Sequence, residues 1–163
     1  MDIVRLSETL DGYDIDTSGW DAYVASIEAG LPAPVKAFVL APWRYDFRDP
    51  RCLHDARLEQ LALSEGEDEG KDEGGRPDQV RLVLQGAWGG RIELWYGQVS
   101  RLRVDKHGGP SQGFGDLLLE ELVAVGAGTF RHELVFVEGT LLLEFGDFRE
   151  TRIDVPVPEV AGP

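Results

Sequence analysis

The stretch Phe130-Arg131-His132-Glu133-Leu134-Val135-Phe136-Val137-Glu138-Gly139-Thr140-Leu141-Leu142-Leu143-Glu144-Phe145 decides the fold class. Its first half alternates, with Phe130, His132, Leu134 and Phe136 on one side, a period of two that belongs to a half-buried strand. Glu138-Gly139 then reads as a two-residue hairpin turn, with glycine supplying a positive φ, and Thr140–Phe145 returns as the partner strand. Upstream, Leu117–Val125 and Phe130–Val137 form a second hairpin around Gly126-Ala127-Gly128. Downstream, Gly146-Asp147 marks a bulge or turn before a last strand, Arg149–Val155.

The same grammar extends toward the N-terminus. Gln79–Gln85 puts Val80, Leu82 and Leu84 on one face, and Arg91–Tyr96 does so with Ile92, Leu94 and Tyr96. Gly97-Gln98 breaks the chain before Val99–Val104, where Leu102 and Val104 share a face. Lys106–Gly115 is a Gly/Pro loop. Asp55–Leu63 alternates without a cleanly apolar side, as an edge strand does. Short strands at this spacing predict a mainly β protein, α+β by count, whose antiparallel sheet forms a sandwich or half-barrel.

Helical signals are confined to the N-terminal third. Trp20, Tyr23, Val24 and Ile27 recur at i, i+3, i+4 and i+7, which predicts one short helix over residues 18–29. Ser18 and Asp21 stand at capping-box spacing, and Gly30, Pro32 and Pro34 close the segment. Its aromatic face is expected to dock on the sheet. Val35–Leu40, between Pro34 and Pro42, reads as a further strand. Residues 1–17 are polar and Asp-rich, with a short apolar stretch at Ile3–Leu6.

The 163 residues predict a single domain spanning 1–163. Residues 64–78 form an acidic, low-complexity insert with seven acids, two bases and five residues of Gly or Pro, expected to be a flexible hairpin connection that proteases cut first. The Pro-containing tail 156–163 is expected to be disordered. One cysteine, Cys52, excludes an intramolecular disulfide framework and a cysteine-based zinc cluster, and a reducing, cytoplasmic setting fits it. Neither a signal peptide nor a membrane span is read in the sequence. Thirty acids against 16 bases give a net charge of −14. Such a field repels nucleic-acid backbones and anionic lipid surfaces and draws in a basic partner.

Chemistry-bearing residues are sparse. His54 and Asp55 open the Asp55–Leu63 strand, and His132 and Glu133 sit in the decisive stretch. No spacing brings His54, Asp55 and His132 into a metal or catalytic set, although neighbouring strands could. His132 on an apolar face reads as a hydrogen-bonded side chain. His54 is expected to be hydrogen-bonded, and Asp55 to fasten the loop Trp43–Leu53 by accepting backbone N–H groups. No serine stands in a nucleophile-elbow context, and Cys52 reads as a structural thiol. Catalytic residues, metal ligands and cofactors are therefore not assigned. Candidate binding residues are His54, Asp55, Trp43, Trp88 and Trp95. Trp88, Trp95 and Tyr96 could instead form a stacking platform for a sugar or other small molecule.

The order of elements resembles that of a broad group of small bacterial proteins. The likeness rests on Trp20, Leu53-His54-Asp55-Ala56-Arg57-Leu58, Arg91–Val99, His132-Glu133-Leu134-Val135-Phe136 and Thr140–Phe148, and covers roughly residues 50–150. The insert Glu65–Asp78 departs from that pattern. Some members of the group look like immunity proteins of polymorphic toxin systems. The resemblance implies a protein-binding domain that inhibits a toxin and implies no catalytic residues; the acidic charge adds the expectation that this partner is basic.

Overall fold

The computed structural model describes residues 1–64, 79–107 and 113–154. The expectations for the acidic insert, its proteolysis and the C-terminal tail lie outside these residues.

Ten strands and two helices are present among the described residues. A hairpin of β1 (Arg5–Thr9) and β2 (Gly12–Asp16) comes first, followed by α1 (Trp20–Ile27), a 3-10 turn (Glu28–Gly30) and α2 (Ala33–Val39). The remaining strands are β3 (Arg57–Ser64), β4 (Gln79–Gln85), β5 (Arg91–Gly97), β6 (Arg101–Lys106), β7 (Leu117–Gly126), β8 (Thr129–Phe136), β9 (Gly139–Phe145) and β10 (Asp147–Ile153). They form two four-stranded antiparallel sheets, β10-β5-β4-β3 and β6-β9-β8-β7. The fold is a β-rich α+β sandwich, and no sheet closes into a barrel.

The inner faces follow the alternation in the sequence. Val80, Leu82 and Leu84 of β4 meet Tyr96, Leu94 and Ile92 of β5 in register, and all six are fully buried. Across the core, Leu141, Leu143 and Phe145 of β9 stand beside Leu134, His132 and Phe130 of β8. The chain changes sheet twice at one corner. Residues 98–100 carry β5 into β6, and Gly146 carries β9 into β10, with the Gly146 amide donating to the Gly97 carbonyl at 3.1 Å.

The β8–β9 turn sits one residue earlier than the sequence predicts. Phe136 pairs with Gly139, so Val137-Glu138 is the loop. Gly139 has no positive φ. Glycine is required there by close approach, because a Cβ would strike the Asp105 carbonyl oxygen on neighbouring β6 and come within 3.1 Å of Lys106 Cα.

Three N-terminal expectations are corrected. Val35–Leu40 is not a strand but lies in α2. Val35, Phe38 and Val39 are buried at i, i+3 and i+4, and Pro34 sits in the first turn, where its missing N–H costs nothing. Phe38 reaches Phe148 of β10 with ring centroids 5.1 Å apart. The predicted helix 18–29 is shorter, Trp20–Ile27, because the chain tightens into a 3-10 turn at Glu28. Ser18 does not cap it; Gly19 is the N-cap and the Ser18 amide donates to Asp16 Oδ1 instead. Finally, the polar residues 1–17 contain the β1–β2 hairpin, in which only Leu6 and Ile15, paired across it, lean on the core.

Candidate functional site

The interior of the sandwich holds a line of polar groups. Tyr96 on β5, His132 on β8 and Glu120 on β7 all point inward, and Arg44 enters from the loop after α2. Arg44 Nη2 lies 2.5 Å from Glu120 Oε2, and His132 Nε2 lies 2.9 Å from the same oxygen. The Tyr96 hydroxyl is 2.8 Å from His132 Nδ1. Arg44 and Glu120 are each 3% exposed, and His132 and Tyr96 not at all. The Arg44 guanidinium is flanked by the rings of Trp20 and Phe38, 4.4 and 4.5 Å from their centroids. The Tyr45 hydroxyl donates to the Glu120 carbonyl.

Chemistry fixes the proton positions. An ionised Glu120 beside Arg44 only accepts, so His132 donates through Nε2–H, and its free Nδ1 accepts from Tyr96. In this arrangement His132 is the neutral Nε2–H tautomer. Burial strips water from the imidazolium and holds the His132 pKa below its usual value, against the attraction of Glu120. Burial also raises the Tyr96 pKa well above the ordinary phenol value. Arg44 Nε, Arg44 Nη1 and Glu120 Oε1 are buried without a hydrogen-bond partner among the described residues. The arrangement is a closed internal bracket between the two sheets and the helical segment.

This bracket makes stability depend on pH. An unfolded histidine titrates near 6.5, whereas folded His132 takes its proton lower. Its contribution is therefore complete above about pH 6.5 and lost as pH falls through the folded pKa. Burial raises the pKa of Glu150, which acts in the opposite sense at lower pH. Urea midpoints should decline from pH 7 toward pH 5.5. Nitrogen NMR at pH 6 should find folded His132 as the Nε2–H tautomer; an imidazolium there would contradict this assignment.

The sequence-predicted residues do not converge. His54 stacks on Phe47 with centroids 4.5 Å apart, and its Nδ1 is 3.1 Å from Asp55 Oδ1. Asp55 does tie the Trp43–Leu53 loop to the sheet, but through its backbone. Its amide donates to the Leu117 carbonyl at 2.8 Å, and the Leu117 amide donates to the Ala56 carbonyl at 2.8 Å. The carboxylate is 58% exposed and accepts none of the expected backbone bonds. Asp55 has φ 64°, a left-handed conformation that Asp and Asn tolerate. Asp55→Asn should therefore change stability by less than about 0.5 kcal/mol, and Asp55→Gly should be neutral or stabilising. A loss of about 1 kcal/mol or more in either melting curve would restore a structural role to the carboxylate.

Trp43 is buried beneath Arg152, whose guanidinium lies 3.9 Å from its ring. Trp95 lies under Arg149, 4.5 Å away. Trp88 is 61% exposed in the β4–β5 loop, at the opposite end of β5 from Trp95. Tyr96 faces the core. Trp88, Trp95 and Tyr96 thus form no platform, because alternation along β5 sends Trp95 and Tyr96 to opposite faces. Cys52 is buried, its thiol donates to the Arg44 carbonyl, and burial pushes its pKa up to about 11. Among the described residues, no group of three or more His, Cys, Asp and Glu could hold a metal ion.

Arg44, Glu120 and Glu121 were missed from the sequence. The available signal was two successive acids in the middle of the apolar run Leu117–Val123. Glu120 faces inward, while Glu121, 1% exposed, turns outward and accepts the amides of Asp2, Ile3 and Val4 at 2.7–2.8 Å. No protein-family model matches the chain, and no curated protein matches it.

Proposed function

We propose that this protein is a non-enzymatic binding domain for a basic protein partner, acting as an immunity-type inhibitor of a bacterial toxin. The observation that carries this reading is the charge of its projecting N-terminal element. From Glu8 to Glu28 there are six acids and no base. Glu8, Asp11, Asp14, Asp16 and Asp21 are exposed on β1, β2, their turn and α1. The hairpin carries Leu10 and Tyr13 into solvent, with Leu10 fully exposed. A two-stranded hairpin is marginal by itself, and one bearing exposed apolar side chains amid like charge suits a partner surface of opposite charge. The inward placement of His132, Glu120 and Tyr96 also favours binding over catalysis, since a reacting substrate needs access to such groups. Among the described residues, no helix is long and apolar enough to cross a membrane.

The test is to purify the protein with the product of the adjacent gene and measure affinity and association rate across salt concentration. A complex whose association slows steeply with salt supports the reading. Absence of a complex, or a salt-independent one, defeats it.

A further inference from the structure

A groove of about 760 Å³ runs beside the hairpin, between α1 and the segment leaving α2. Three features define what it would accept. Ala25 of α1, with Leu40 and Pro42 of the segment leaving α2, gives it apolar walls, and Leu40 is 43% exposed beside the buried Phe38 and Val39. Asp21, Glu28 and Asp46 stand along it. Asp21 on α1 and Glu28 at its C-cap line the same groove as Ala25. Lys36 bonds Glu28 at 2.9 Å, while Asp21 and Asp46 have no ion-pair partner among the described residues, and Asp46 Oδ1 accepts the Arg48 amide at 3.1 Å. Arg44 also lines the groove, but its charge is buried and met by Glu120.

Apolar walls under carboxylates match the two halves of a long basic side chain. The methylene stem covers apolar surface while the charged head stays near water and acids. We infer that this groove receives a basic segment of the partner protein, seating Arg or Lys stems against Ala25, Leu40 and Pro42 and their charged heads near Asp21 and Asp46. The inference rests on the proposed function and locates its interface. The chain leaving the hairpin enters the groove wall at Thr17 and Ser18.

The experiment is an amide and indole NMR titration of the whole protein with a short peptide carrying Arg and Leu at helical spacing. An oligolysine of equal charge and a Glu-for-Arg peptide are the comparisons. Saturable shifts centred on the Trp20 indole, Ala25 and Leu40, about tenfold tighter than with oligolysine and absent with the acidic peptide, are expected. Ala25→Arg, at an exposed helix position, and Asp21→Lys should each weaken binding about tenfold while leaving the remaining spectrum unchanged. Shifts centred on either sheet's outer face, equal binding of oligolysine, no saturation, or indifference to both substitutions would overturn the groove. Concentration-dependent groove shifts in the protein alone would also overturn it, because they would assign the groove to a second copy. The adjacent-gene assay separates the two claims. A partner held equally by wild type and Ala25→Arg removes the groove and keeps the function; a partner held by neither removes the function.

Discussion

Replacing Arg44 with Met should destabilise the protein by about 3–5 kcal/mol, the cost of leaving a buried charge without its counter-ion. Methionine keeps a long unbranched side chain but removes the guanidinium flanked by Trp20 and Phe38, so the loss includes those ring contacts as well as the ion pair. Glu120 would retain His132 and Tyr45 as neighbours, but neither is a cation. The double variant Arg44→Met with Glu120→Gln should recover a large part of the loss, because it removes the stranded carboxylate. At this chain length, 3–5 kcal/mol lowers the melting temperature by about 10 °C. A loss below about 1 kcal/mol would mean that Glu120 does not need the guanidinium and that the bracket is held by its neutral members.

Leu143→Ala should cost about 2–5 kcal/mol, the range for a buried leucine whose cavity cannot collapse. Leu143 is fully buried on β9, an inner strand of its sheet, and stands between Leu102 of β6 and His132 of β8. Its neighbour Leu142 is only half-buried and faces the other way. Leu142→Ala should cost clearly less, and denaturant midpoints for the pair test the face assignment directly. Equal losses would mean that the outer face of this sheet is covered as thoroughly as the inner one.

The sandwich was legible where one rule acted alone. In β4, β5, β8 and β9 the side chains alternate, and the period of two places every inward residue. Strand pairing was less readable, since alternation does not say that β10 returns to β5. Val35–Leu40 failed because a short apolar run between prolines satisfies both periods; packing of Phe38 against Phe148 and His132 selects the helix. The β1–β2 hairpin failed because its residues are polar, although Asp11-Gly12 is a recognised turn signal. Its residues show little periodicity because almost none of them is buried. The internal bracket joins Arg44 to Glu120 across 76 residues, and local pattern holds no information about such a meeting. His54 and Asp55 attracted notice by residue type, yet the anchor at that point is a backbone amide, which any residue supplies.

Several partners of the N-terminal third come late in the chain. Val4 waits for Glu121, Tyr23 for the Ala124 amide, Phe38 for His132 and Phe148, Arg44 for Glu120, and Trp43 for Arg152. On a ribosome adding about 5–20 residues per second, residues 1–56 therefore wait several seconds before the late partners of Phe38 and Trp43 are made. The β7–β9 meander, whose partners are adjacent in sequence, can form as soon as it emerges, and the earliest-made segment is then the last to be enclosed. A translational pause before residue 117 would prolong that wait and favour aggregation.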